Sequence, residues 1–220
     1  MKYIKHIFVG QLLVFLFFFQ VNAQPEIGIL VGLSNNKLTG DPPPTGAFQY
    51  KMGFQAAVHI DFELSDYVRL SFQPGIRSGG AKVAFKDPDL EEFKDSLKVN
   101  VALISIPLLV KITSLSEKVY FTGGIALELP SKVQVDNGQD KLDISDELKK
   151  YNITADFGLG FKIPIKSTTG YIELRYIQGL VNISENLDED LAYLPRTKST
   201  AIQLLFGWQV PIKKINNYEK

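Results

Sequence analysis

The chain has 220 residues, with 24 basic and 24 acidic side chains and no cysteine. That length allows one domain and no second core, and the balanced charge argues against a nucleic-acid partner. The lack of cysteine excludes a disulfide framework, a lipid-modified N-terminal cysteine and any thiolate metal site.

Residues 1–23 read as a cleavable secretory leader. Lys2 and Lys5 precede an apolar run from Ile7 to Phe19, and Val21-Asn22-Ala23 forms a small-residue cleavage pattern before Gln24. Losing Lys2 and Lys5 lowers the basic count from 24 to 22 against 24 acids, a net charge of −2. The leader's apolar run is short for a membrane-spanning helix, and no later stretch is long enough, so any span is built from strands.

Eight stretches then alternate between apolar and polar residues, the period of a strand with one greasy face. The first, Glu26 to Ser34, alternates imperfectly because Leu30 falls on the polar side. The second sets Phe54, Ala56, Val58, Ile60 and Phe62 against Gln55, His59, Asp61 and Glu63. In the third, Val68, Leu70, Phe72 and Ile76 alternate with Arg69, Ser71, Gln73 and Arg77. The fourth, Val99 to Ile112, puts Leu103 and Leu109 on the polar side. It also contains Pro107, which cannot donate to a ladder, so a bulge or kink is expected there. The fifth has Val119, Phe121, Ile125, Leu127 and Leu129 opposite Tyr120, Thr122 and Glu128. The sixth places Ala155, Phe157, Leu159, Phe161 and Ile163 against Asp156, Gly158, Gly160 and Lys162. The seventh alternates Ile172, Leu174 and Tyr176 with Glu173 and Arg175; the eighth alternates Ile202, Leu204, Phe206, Trp208 and Val210 with Gln203, Gly207 and Gln209.

The gaps between these stretches decide the architecture. Ser65-Asp66, Ser114 to Glu117 and Lys166 to Thr169 are tight, whereas Lys37 to Gln49, Val83 to Ser96, Ser131 to Tyr151 and Ile183 to Thr197 are long. A soluble sandwich has no reason to alternate connection lengths so strictly. An all-β, eight-stranded antiparallel up-and-down transmembrane β-barrel does, with short periplasmic turns, long outer loops and both termini in the periplasm. The barrel is expected over residues 24–212, with 213–220 as a short periplasmic tail. Phe62, Phe121 and Trp208 lie near the turn end, where an aromatic belt would meet headgroups.

The run Leu103-Ile104-Ser105-Ile106-Pro107-Leu108-Leu109-Val110-Lys111 is similar to a strand that reads Tyr-Leu-Glu-Ile-Pro-Leu-Leu-Leu-Lys in the PorT-like outer-membrane β-barrel family common in Bacteroidota. Here Leu103 and Ser105 stand where that strand has Tyr and Glu. Glu173-Leu174-Arg175-Tyr176, followed by Gly179-Leu180 and Asn182-Ile183, is similar to the family's closing signature, and Asp156-Phe157-Gly158-Leu159-Gly160 also fits. The resemblance spans nearly all of the mature chain. It implies an eight-stranded outer-membrane barrel, most members of which have no assigned activity.

Eight strands enclose an interior that side chains fill, so inward charges need compensation. Asp61, Glu63, Glu128, Asp156 and Glu173 are matched in number by Arg69, Arg77, Lys111, Lys162 and Arg175, which suggests a lumen ion-pair network. Its plain reading is structural; its functional reading is a gated path for a small solute. His59, with Asp61 on the same face, has the residue types to orient a base, but no Gly-x-Ser-x-Gly motif accompanies it. Asp136-Asn137-Gly138-Gln139-Asp140 with Glu147 resembles a calcium loop, yet Gly138 and Lys141 sit where a ligand and a glycine are needed. A short capped helix is expected over Ser145 to Tyr151. The acids Glu185, Asp188, Glu189 and Asp190 read first as a solvated face, and Pro42-Pro43-Pro44 as a stiff spacer or recognition surface.

The function these readings support is a non-enzymatic barrel that serves envelope structure or loop-mediated interaction. No cofactor and no metal are expected. Expected partners are outer-membrane lipid and lipopolysaccharide, the barrel insertion machinery and an envelope protein. The rival readings are a narrow channel or accessory subunit of a transport or secretion complex, a barrel enzyme using His59, and a soluble barrel holding an apolar ligand.

Overall fold

A computed structural model describes residues 25–40, 42, 46–86, 93–145, 149–183 and 197–212. The leader, the 213–220 tail, the Pro43-Pro44 pair and the acids from Glu185 to Asp190 lie outside the described residues, as do 146–148 in the middle of the expected helix.

The described chain folds into β1 (Glu26–Thr39), β2 (Gly46–Gln49), β3 (Lys51–Ser65), β4 (Val68–Phe72), β5 (Gly75–Lys86), β6 (Phe93–Thr113), β7 (Val119–Asp136), β8 (Lys141–Asp143), β9 (Asn152–Ile165), β10 (Thr168–Gly179) and β11 (Lys198–Pro211). All pairings are antiparallel, and β1 pairs with β11, which closes the sheet. With β2 and β3 forming one stave, β4 and β5 another, and β8 lying outside the ring, the eleven strands make eight staves. Closure leaves no unpaired edge within the ring of eight staves, the condition for strands to stand in hydrocarbon. Among the described residues no helix is long and apolar enough to cross a membrane.

The stagger of the ring follows from the registers. A walk along directly paired residues runs Asp61, Ser71, Leu109, Gly124, Asp156, Ile177, Ala201, Asn36 and back to β3 at Lys51, ten positions from Asp61. Eight strands with that stagger tilt by roughly 40° from the barrel axis. Every residue on the walk points inward, so period two holds around the whole circumference. The outer wall is apolar: on β6 the row Ala102, Ile104, Ile106, Leu108, Val110 and Ile112 faces out and covers roughly 25 Å of height at this tilt, the span of a membrane barrel's apolar band. Phe62, Phe121 and Trp208 are exposed on this wall near the turn end.

Several strands outrun the alternating stretches. β1 continues to Thr39 and β6 begins at Phe93, so the loops are shorter than the sequence gaps. β6 has 21 residues and β7 has 18, against 12 in β10, so the ring's rim is uneven. β5, β6 and β7 rise beyond it, flanked by β2 and β8, as a five-stranded wall. The turn end is tight. Lys166 and Ser167 join β9 to β10, with Lys166 at φ 52°, the left-handed geometry that two-residue hairpin turns require.

The bulge expected at Pro107 is not there. Gln73 N–H donates to Pro107 O at 3.0 Å and Val58 N–H to Pro74 O at 3.1 Å, so both prolines stay in register and each omits only its own donor. A bulge needs an extra residue, and β7 supplies it. Leu103 pairs with Pro130 and Ala102 with Lys132, which leaves Ser131 between them, its hydroxyl donating to Ala102 O at 3.0 Å. Leu30, Leu103 and Leu109, which disturbed the alternation, are buried in the lumen. They follow the period; only their chemistry differs.

Candidate functional site

The inward faces of the staves form a stack of polar side chains. Nearest the turn end, Arg69 pairs with Glu26 at 3.1 Å, and Gln209 donates to the same carboxylate. Beside them Lys111 Nζ lies 2.6 Å from Asp61 Oδ2, while the Ser71 hydroxyl donates to Asp61 Oδ1 at 2.5 Å. The Lys111 ammonium also sits 5.3 Å and 5.4 Å from the ring centroids of Tyr120 and Tyr171, within reach of the π faces.

Above this layer Glu173 collects four donors, one of them the Thr122 hydroxyl, 3.4 Å from Oε1. Arg175 reaches Oε1 with Nη2 at 2.6 Å and Nε at 2.7 Å, and the Tyr120 hydroxyl donates to Oε2 at 2.9 Å. Arg175 is tied across the lumen to Gln73 Oε1 at 2.9 Å. Nearer the loop end Arg77 pairs with Glu128, whose second oxygen accepts from Asn152 Nδ2 at 3.0 Å, and Arg77 also donates to Asn36 Oδ1 at 3.1 Å. Gln203 donates to Gln55 at 2.6 Å. Buried charge is tolerable only when paired and hydrogen-bonded. Asp61, Glu128 and Glu173 each meet a cation and at least one neutral donor.

Three of the ten expected network residues stand apart. Asp156 accepts from the Thr154 hydroxyl at 2.7 Å, and Lys162 donates to Thr113 Oγ1 at 3.2 Å. Neither they nor Glu63 forms an ion pair within 4.0 Å among the described residues. Glu26, Gln73, Tyr120 and Tyr171 were not counted in the network from the sequence, although Gln73 and Tyr120 were read on polar faces and Tyr171 lies two before Glu173 on the same inward row.

His59 and Asp61 share a face but not a hydrogen bond. Both Asp61 oxygens are taken by Lys111 and Ser71, whereas His59 Nδ1 meets the Tyr171 hydroxyl at 2.7 Å with the rings stacked 5.1 Å apart. The acidic turn near the loop end is likewise committed. Asp136 Oδ1 accepts from Gly138 N–H at 2.8 Å, and Asn137 Oδ1 accepts from the N–H groups of Gln139 and Asp140 at 2.9 Å and 2.7 Å. Those oxygens shape a turn. Among the described residues no group of three or more His, Asp or Glu side chains is placed to hold a metal ion.

A water-wide path through the middle of the barrel would expose the side chains that line it. His59, Asp61, Gln73, Leu109, Asp156, Glu173, Arg175, Gln203 and Leu205 are each at most 1% exposed. The lumen is therefore filled and closed at mid-height.

A closed antiparallel ring with an apolar outer wall and a packed polar interior defines a membrane-spanning β-barrel. The family model described as outer membrane protein beta-barrel domain matches residues 22–185, and the chain belongs to that family, whose place is the outer membrane. No curated protein matches the chain. Among solved structures it is similar to the outer membrane protease OmpT from Escherichia coli, at 9% identity and TM-score 0.45, covering 88% of this chain and 98% of that one. It is also similar to Ail, the attachment invasion locus protein of Yersinia pestis, in complex with the heparin analogue sucrose octasulfate, at 12% identity and TM-score 0.44, covering 84% and 99%. A further similar structure is Neisserial surface protein A, at 12% identity and TM-score 0.43, covering 84% and 97%.

Proposed function

We propose that this barrel is a non-enzymatic, non-conducting outer-membrane protein that acts through its loop end. In this reading residues 1–23 are removed on export, the short turns and both termini face the periplasm, and the wall of β5, β6 and β7 stands outside the cell. It meets lipopolysaccharide and an envelope protein there, after the insertion machinery has placed it. The residues from Ile106 to Lys111 support placing it in the PorT-like branch of the family. The observation that carries the proposal is the buried middle layer: no side chain there is open to a solute, and His59 is spent on Tyr171.

Orientation is tested by labelling. The chain has no cysteine, so Gln139→Cys at the loop end and Ser116→Cys at the turn end each give one thiol, both at exposed positions. A membrane-impermeant maleimide on intact cells is expected to label the first and not the second. Labelling of Ser116→Cys alone would overturn the orientation.

A further inference from the structure

The outer wall changes chemistry at one level. On β1 the outward row runs Ile27, Ile29, Val31 and Leu33 and then turns polar at Asn35, Lys37 and Thr39. On β11, read from the turn end, the apolar row from Val210 to Ile202 gives way to Thr200 and Lys198. Lys37 pairs directly with Thr200, and Thr200 with Gln178 of β10, so the change falls on one row across neighbouring staves. Lys37 lies ten positions beyond Ile27, which at the barrel's tilt is roughly 25 Å of height, the span of a membrane barrel's apolar band. The row therefore stands at headgroup depth, on the low side of the rim where β10 ends and β11 begins.

Two cations stand side by side there. Lys198 pairs with Thr39, two positions past Lys37 on the same face, so the lysines are diagonal neighbours roughly 7 Å apart at the wall. Both are partly exposed. Neither forms an ion pair within 4.0 Å among the described residues, and no outward position of β1, β10 or β11 carries an acid. Their surroundings are ordered: Lys37 Nζ lies 5.2 Å from the ring centroid of Tyr50, within reach of its π face. The hydroxyls of Tyr176 and Thr200 donate to Gln178 Oε1 at 2.7 Å and 3.4 Å, and Thr39 Oγ1 lies 3.4 Å from Thr200 Oγ1. Like charges this close repel, more strongly beside hydrocarbon than in water. An anion set between them removes the repulsion, and a phosphate brings several strong acceptor oxygens to the two ammonium groups. Directly below, Leu33, Ile202 and Leu204 present exposed apolar surface. A soluble anion would use only the lysines, whereas a phosphorylated lipid uses both parts.

We infer that Lys37 and Lys198 form a seat for the phosphate of one phosphorylated lipid of the surrounding leaflet, its acyl chains lying along Leu33 and Ile202. The identity of that lipid rests on the orientation proposed above: with the loop end outside the cell it is lipopolysaccharide, held through a phosphate of its lipid anchor. The seat itself does not depend on which leaflet surrounds it.

The test uses the full mature barrel in phosphatidylcholine nanodiscs doped with monophosphoryl lipid A, and native mass spectrometry reads the lipid that stays on the released barrel. One retained lipid is expected, favoured about tenfold or more over the same lipid with its phosphate removed, the scale of two lysines at a membrane surface. Lys37→Gln combined with Lys198→Gln is expected to bring retention down to the phosphate-free level. Lys37→Arg with Lys198→Arg keeps both charges and is expected to keep the lipid, and Lys118→Gln at the turn end and Lys141→Gln on β8 are expected to change nothing. A heat-dependent gel shift verifies that each variant is folded. Equal retention of the two lipids, or retention that survives the double Gln variant, would overturn the proposal. Displacement of the lipid by millimolar inorganic phosphate would show that a soluble anion suffices and would overturn the assignment to a lipid. Maleimide labelling decides the leaflet and this experiment decides the seat, so the two readings fail separately.

Discussion

Gly160 lies directly beneath the ring of Tyr120, its cross-strand partner, so closely that a β-carbon on the glycine would overlap the ring. The same relation recurs at Gly207 under Tyr171 and at Gly28 under His59, each again a directly paired residue. Three rings near the turn end thus lie flat against the barrel wall over three glycines. The lumen accepts these rings because the wall recedes beneath them.

Replacing Gly160 or Gly207 by alanine forces ring and backbone apart, and each change is expected to cost roughly 2–3 kcal/mol. Gly123→Ala is the control: a β-carbon there meets only Phe157 at 3.8 Å, and a change within about 0.5 kcal/mol is expected. Urea unfolding in lipid vesicles, followed by the single tryptophan Trp208, measures all three. Equal costs at Gly160 and Gly123 would refute the role given to the recess.

Lys111 and Asp61 test the pairing of buried charge. Lys111→Met leaves the Asp61 carboxylate with only the Ser71 hydroxyl, and the loss is expected at about 3–5 kcal/mol. Adding Asp61→Asn removes the stranded charge and is expected to recover part of it. A double-mutant cycle with no coupling would show that the pair is not an energetic unit.

Much of this architecture is legible in the residues themselves, and the limits have physical causes. Period two and the alternating gap lengths place all eight staves, because an apolar outer face is an unavoidable demand of the bilayer. Leu30, Leu103 and Leu109 looked like breaks because polarity stood in for direction; the lumen simply accepts some leucines. The partner of a charge is less legible than its face. Lys111 meets Asp61 from a strand two staves away, with Ser71 between them, and that neighbour is set by the registers of β3 on β4 and β4 on β6, which no local pattern carries. The glycines under Tyr120 and Tyr171 stand in the sequence only as positions on the polar face, and the register shows what lies on them.

Tyr171→Phe removes the hydroxyl that meets His59 Nδ1 while keeping the ring stack. With both ring nitrogens then lacking a partner, a loss of about 1–2 kcal/mol is expected in the same unfolding assay. An unchanged midpoint would indicate that the bond contributes nothing.

Asp143 governs a pH-dependent turn beyond the membrane span. Its carboxylate accepts from both the N–H of Ser145 at 3.0 Å and its hydroxyl at 2.5 Å, which holds its pKa below the usual carboxylate range. The Ser145 oxygen in turn accepts from Val133 N–H at 2.9 Å, so the turn is tied to β7. Because the folded value is depressed, the stabilisation is complete above the unfolded value of about 3.9 and is lost as pH falls through the folded one. Hydrogen exchange at the Ser145 amide is expected to quicken over that acidic window, relative to its intrinsic rate, and Asp143→Asn to flatten the response. A wild-type profile without the step would contradict the assignment.

Conductance in planar bilayers shows whether the barrel is closed by its own side chains. Folded protein, verified by a heat-dependent shift in gel mobility, is expected to insert without discrete current steps, because Glu173, Arg175 and Gln203 leave no water path. Reproducible single-channel steps from the unmodified chain would contradict a filled lumen and favour the rival narrow-channel reading.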